Sequence, residues 1–127
     1  MYRLLLVCVG GAIGTGARYV IATTAPRLFG TSFPYGTLLV NVLGSFLLGV
    51  IIQVGLTTTL ISPTARVVLA TGVMGGFTTY STFNYETMEY LRQGTLWLAG
   101  LNVTATLVLC LLAGALGVGS ARWLAGS

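Results

Sequence analysis

Apolar residues run along this chain in four long blocks, at 4–22, 33–56, 66–91 and 96–124, separated by short connections. Each block reaches the roughly 20 residues that a helix needs to cross the hydrocarbon core of a bilayer. The pattern predicts an all-α membrane protein with four transmembrane helices in one domain over 1–127, both termini on the same side. The first block follows Arg3 as the core of a cleavable leader would. It is too long for one, is dense in glycine, and has Arg18 where a leader would have a small-residue cleavage pattern, so it is read as a retained span. No linker or low-complexity segment divides the chain.

The third block contains an interruption. In GVMGGFTTYSTFNYETMEYL, residues 72–91, the adjacent Gly75 and Gly76 precede Phe77, and five of the next six residues carry hydroxyls. Glycine is conformationally permissive, and Ser and Thr compete for backbone hydrogen bonds, so this helix is expected to be broken near 75–80, at mid-membrane. Irregular backbone at that depth survives only if buried in protein or facing a watery cavity. The first half-helix would then offer carbonyls to a cation, and the second would offer N–H groups to an anion. Beyond the break Tyr80 and Phe83 share one face with Thr87, while Thr79, Thr82 and Glu86 share the next. Ring edges are positive, so the two aromatics are candidates for an anion path beside the hydroxyls, and ordinary packing is their other reading.

Polar stripes on two other blocks extend the picture. Thr37, Asn41 and Ser45 recur at four-residue spacing in the second, and the Asn41 amide has two N–H donors suited to an anion. Asn102 and Thr106, continued by Cys110, form a weaker stripe in the fourth, which serves equally as hydrogen-bonding glue between helices. Gly10, Gly14 and Arg18 share one face of the first helix, and Gly72 and Gly76 repeat the spacing in the third, a pattern that lets backbones approach closely in lipid. Two structural roles are open to Arg18 besides ion contact: it snorkels to the membrane surface, or it satisfies carbonyls at the broken helix.

Composition narrows the classes. The chain is 55% hydrophobic and 6% charged, without Lys, His or Asp, which leaves too little polar surface for a water-soluble domain and no proton relay. The formal charge of +4 comes from scattered arginines near helix ends, the interfacial pattern and not a nucleic-acid face. Cys8 and Cys110 lie in apolar spans with no His beside them, so neither a disulfide nor a metal pair is expected. No Ser–His pair, paired buried carboxylates or phosphate loop appears, so an enzyme is not expected. Arg3, Arg66 and Arg122 fall on the side of the N-terminus, and Arg27 and Arg92 on the other, with Arg18 one turn inside it. So even a balance gives little orientation bias, and it makes insertion both ways round, and an antiparallel two-fold dimer, available.

The segments GGAIGTGARY (10–19), FPYGTLLVNVLGSFLLG (33–49) and GVMGGFTTYSTFNYE (72–86) resemble the small four-helix fluoride channels, the Fluc or CrcB family, along nearly the whole chain. The resemblance implies an antiparallel, dual-topology homodimer in a prokaryotic inner membrane, with two fluoride pores and a central structural sodium ion. By motif position the carbonyls of Gly75 and Thr78 from both subunits would hold the sodium. Asn41 would donate to fluoride, Tyr80 and Phe83 would form an aromatic pair, and Thr37, Ser81 and Thr82 would be hydroxyls near the path. Glu86 would sit at a vestibule and Arg18 would be a structural anchor; Asn102 and Thr106 are carried over more weakly. The family most often has Phe where this chain has Tyr80. The expected function is passive fluoride export that lowers the cytoplasmic concentration, with fluoride, membrane lipid and a second copy as partners. The alternative is a proton-coupled exporter of the small multidrug-resistance type, whose mechanism needs a carboxylate in the first helix; this one has none.

Overall fold

A computed structural model describes residues 1–126, so Ser127, the end of the expected domain, lies outside the described residues. Those residues form helices without strands: α1 (Tyr2–Phe29), α2 (Tyr35–Thr57), α3 (Pro63–Val67), a π-helical stretch (Val68–Met74), α4 (Gly75–Phe77), α5 (Ser81–Arg92) and α6 (Leu96–Ala125). Of these, α1, α2 and α6 are each long and apolar enough to cross a membrane. The third apolar block is divided among α3, the π stretch, α4 and α5, with residues 78–80 lying between α4 and α5 and belonging to neither.

Local chemistry accounts for the ends. The first helix extends seven residues past the expected 22, running through Pro26, and it stops at Gly30, whose φ of 88° lies in the left-handed region. Ser62 caps α3 by accepting a hydrogen bond from the Ala65 N–H at 3.1 Å, and Pro63 occupies the first helical position, where its missing N–H costs nothing. The α5–α6 turn is closed by Thr95 N–H to Tyr90 C=O at 2.9 Å and Gly94 N–H to Leu91 C=O at 3.1 Å. This Schellman arrangement requires the positive φ of 76° at Gly94.

Two packing seams hold the protomer together: α2 lies along α6, and α1 lies along the π stretch and α4. In the second seam a side chain on Gly72 would meet the Val7 carbonyl at 2.9 Å, and one on Gly10 the Val68 carbonyl at 3.1 Å. One on Gly14 or Gly76 would run into the backbone of Val73 or Gly11. The glycine spacing therefore does bring the two backbones together, as packing in lipid favours. The core is small: Ala25, Val40, Met74, Phe77, Ala99, Ala113 and Ala121 are its buried apolar members. Most large apolar side chains point outward, among them Leu4, Ile13, Leu107, Leu111 and Leu116.

The α2–α6 seam gives a paired prediction. Gly117 abuts the Phe46 backbone, whereas Gly119 has open space where a side chain would go. Gly117→Ala should cost about 1–3 kcal/mol by forcing the seam apart. Gly119→Ala should be neutral or stabilise by up to about 1 kcal/mol, since glycine is disfavoured inside a helix. Reversible unfolding in mixed detergent micelles reads both.

Candidate functional site

The site is assembled where the chain leaves helical geometry after Phe77. Thr78 is extended, with φ −88° and ψ 161°, and its N–H and hydroxyl both donate to the Met74 carbonyl at 3.0 Å, ending α4. The next residue is held from a different helix. The Thr79 N–H donates to Asn41 Oδ1 at 2.9 Å, and Asn41 Nδ2 donates to the Thr79 carbonyl at 3.0 Å. Asn41 is 9% exposed, so both ends of one buried amide bond the main chain of a single residue, its N–H and its C=O. The Thr79 hydroxyl then starts α5: it accepts from the Thr82 N–H at 3.2 Å and bonds the Thr82 hydroxyl at 3.1 Å. Arg18, on α1, donates from Nε to the Gly76 carbonyl at 2.9 Å. Of the two structural roles open to it, this contact is the carbonyl-satisfying one.

This arrangement leaves carbonyls without donors. In an uninterrupted helix the Gly75 and Thr78 carbonyls would accept from Thr79 and Thr82, but those N–H groups are taken by Asn41 and by the Thr79 hydroxyl. No protein donor reaches either carbonyl among the described residues. Gly75 also lies on the exposed surface of the protomer. Carbonyl oxygens freed at a helix end suit a hard cation such as sodium, so the donor set fits one. The described residues contain no cluster of three or more His, Cys, Asp or Glu side chains that would hold a metal otherwise.

Two cavities flank the 78–82 segment. The first, about 520 Å³, is lined by Asn41, Ser45, Thr78, Thr79, Tyr80, Phe83, Thr106 and Cys110, with leucines around them. Tyr80 and Phe83 meet edge to face there, ring centroids 5.7 Å apart and planes at 66°. Tyr80 is 79% exposed on the protomer, so its hydroxyl is not sequestered. The second cavity, about 350 Å³, is lined by Thr37, Thr82, Tyr85, Glu86, Glu89 and Tyr90 among others. The Thr37 hydroxyl donates to Glu86 Oε2 at 2.8 Å, and Glu86 Oε1 is buried with no hydrogen-bond partner. Glu89 is paired with Arg92, so among the described residues Glu86 is the side-chain carboxylate without a cation. Thr79 and Thr82, bonded to each other, line the first and second cavities respectively.

The expected site residues therefore fall into groups. Asn41, Tyr80, Phe83 and Thr106 share the first cavity; Thr37, Thr82 and Glu86 share the second. Ser81 is exposed and lines neither. Asn102 also lines neither: it is 1% exposed and donates to the Thr87 hydroxyl at 3.0 Å inside the protomer. Sequence reasoning did not single out the Thr79 backbone as the partner of Asn41, since the two are 38 residues apart and nothing local signals the contact.

Several apolar spans, an outward-facing apolar surface, and polar side chains collected around irregular backbone define a multi-pass helical membrane protein with the parts of an ion pathway. The family described as "CrcB-like protein, Camphor Resistance (CrcB)" matches residues 5–118, and the chain belongs to it. It is 55% identical over 126 residues to the "Fluoride-specific ion channel FluC" of Anaeromyxobacter sp. (strain K), spanning 99% of this chain and 100% of that one. It is 56% identical over 123 residues to the protein of the same name from Sorangium cellulosum (strain So ce56), 96% of each chain, and 47% identical to that of Geobacter sulfurreducens. It is a multi-pass protein of a bacterial membrane.

The Asn41 clamp is testable apart from any flux. In Asn41→Leu the Thr79 N–H loses its acceptor, and hydrogen exchange there should accelerate by about tenfold or more, the equivalent of one buried hydrogen bond. Exchange in the middle of α6 should stay as in the parent protein.

Proposed function

We propose that the protein is a fluoride-selective channel that passively exports fluoride, and not an enzyme. The observation that carries this reading is its 55% identity, end to end, with a channel named as fluoride-specific. The first cavity supplies the physical account. Fluoride is small and strongly hydrated, so a path must replace its water with close donors that do not trap it. Asn41 Nδ2 carries two hydrogens; one is taken by Thr79, which leaves the other for an anion in the cavity that Asn41 lines. The tilted rings of Tyr80 and Phe83 offer positive edges beside it, and Thr106 a hydroxyl. Thr82 and Thr37 continue the hydroxyl track towards Glu86, which stands at a vestibule, and Ser81 adds a hydroxyl on the exposed surface beside it. The negative interior potential drives the anion outward. The proton-coupled alternative is disfavoured, because α1 has no carboxylate.

The working unit in this reading is an antiparallel, dual-topology homodimer embedded in lipid, with the third span broken at mid-membrane. Three features support it: the even spread of arginines, an exposed Tyr80 that a single protomer leaves uncovered, and donor-free carbonyls at Gly75 and Thr78 on the same segment. Those carbonyls, contributed twice by a two-fold axis, would hold a structural sodium ion, which supplies a fixed positive charge at the dimer centre. Arg18 anchors the neighbouring Gly76 carbonyl.

Fluoride efflux from liposomes holding the purified protein should be electrogenic, needing a potassium ionophore, and should exclude chloride. Asn41→Asp replaces donors by an acceptor that can carry negative charge, and Phe83→Ile removes a ring edge; each should lower the current by at least about tenfold. Chloride passing as readily as fluoride, or unchanged currents in both variants, would reject the reading.

Topology is read separately. In a background without Cys8 and Cys110, Ser62→Cys should be labelled by an impermeant thiol reagent from both sides of the membrane in comparable amounts. Labelling from one side only would reject dual insertion.

A further inference from the structure

One helical turn beyond Phe83, outside the residues that line the two cavities, lies a buried polar relay. Asn102 on α6 donates from Nδ2 to the Thr87 hydroxyl at 3.0 Å, and that hydroxyl donates to the Phe83 carbonyl at 2.9 Å. Asn102 is 1% exposed and Thr87 7%, the only two buried polar side chains on these helices. The direction of the relay is fixed by chemistry. A hydroxyl has one hydrogen; once it points at the Phe83 carbonyl, only a lone pair faces Asn102, so the amide must present its N–H side. In so buried a place each bond strengthens the other, and an unpaired member is costly.

We infer that Asn102 and Thr87 are positioning residues that set the depth and rotation of Phe83 in the first cavity. The bond between α5 and α6 lies one helical turn from Phe83 on the same face, and the short turn at 93–95 ties the two helices at the other end. With two points fixed, α5 can neither slide nor roll against α6 without breaking a buried hydrogen bond. Thr106, one turn beyond Asn102 on the same face of α6, lines the cavity that Phe83 enters. The relay therefore aligns groups from two helices that border one cavity, while touching no ion itself. This assignment rests on the fluoride-channel reading for its functional readout, but its structural half does not.

The test uses four variants of the full chain, Asn102→Leu, Thr87→Val, Thr87→Ser and the double Asn102→Leu/Thr87→Val, with 4-fluorophenylalanine installed at position 83. Three quantities are measured on each: stability in detergent, the fluorine resonance of the label, and fluoride current in liposomes. Thr87→Val should be the least stable, because it strands the Asn102 amide; the double variant, with both partners apolar, should recover most of that loss. The current should not recover with it: Thr87→Val and the double variant should both stay about tenfold or more below the parent, with shifted or broadened fluorine resonances. Thr87→Ser keeps the hydroxyl and should restore both current and resonance. A double variant with parental current and an unshifted resonance would overturn the inference and leave the pair as a packing contact. So would an Asn102→Leu protein that loses current while its resonance is unmoved, because Asn102 would then act on the ion directly. If the parent protein itself carries no fluoride, the channel reading fails, and the resonances alone decide whether the relay positions the ring.

Discussion

The buried amide of Asn41 is the constraint on which the rest of the site depends. By accepting from the Thr79 N–H and donating to the Thr79 carbonyl, it does for a single residue what a helix does with neighbouring turns. The chain can be interrupted between α4 and α5 without stranding the N–H and C=O of Thr79 because this substitute exists. The release of the Gly75 and Thr78 carbonyls, the start of α5 at Ser81 and the angle at which Tyr80 and Phe83 meet all follow from that peptide being held where it is.

Around this point the usual arrangement of a folded domain is reversed. Apart from Met74 and Phe77, the buried side chains are small or polar, alanines and valine together with Thr37, Asn41, Thr87 and Asn102, while most leucines face outward. Hydrophobic burial cannot choose among helix arrangements when lipid is as apolar as leucine, so the choice falls to close backbone approach and to a few hydrogen bonds. Glycines serve both seams, bringing α1 against the π stretch and α4 and α2 against α6, whereas α5 is tied to α2 by Thr37 with Glu86 and to α6 by Asn102 with Thr87.

How much of this was legible in the sequence depended on whether a signal was local. Apolar block length marked α1, α2 and α6, since nothing but a long helix satisfies such a run in lipid. Glycine spacing marked the α1 seam, because the steric demand is written in the residues themselves. Asn41 stood out as a polar group at mid-span, yet its partner did not, since one amide at four-residue spacing looks the same whether it meets an ion or a backbone. The same ambiguity governs Asn102: the stripe with Thr106 is real along the helix, but the two side chains have different surroundings, and only the position of α5 separates them. The extension of α1 to Phe29 was missed because proline tolerates the helical geometry there, and the π stretch because no residue type demands it.

That π stretch, Val68–Met74, has a further consequence. A wide turn closing hydrogen bonds five residues apart is equivalent to one residue more than an α-helix of the same span needs. Each residue advances an α-helix by about 100°, so the surplus one resets the compass bearing of everything after it. Gly76 meets α1, and Gly75 faces outward, on the bearing that results. The stretch thus works as a length standard: between 68 and 74 the count of residues matters alongside the glycine at 72, and a one-residue deletion would turn the carbonyls, the threonines and the aromatic pair away from their partners together.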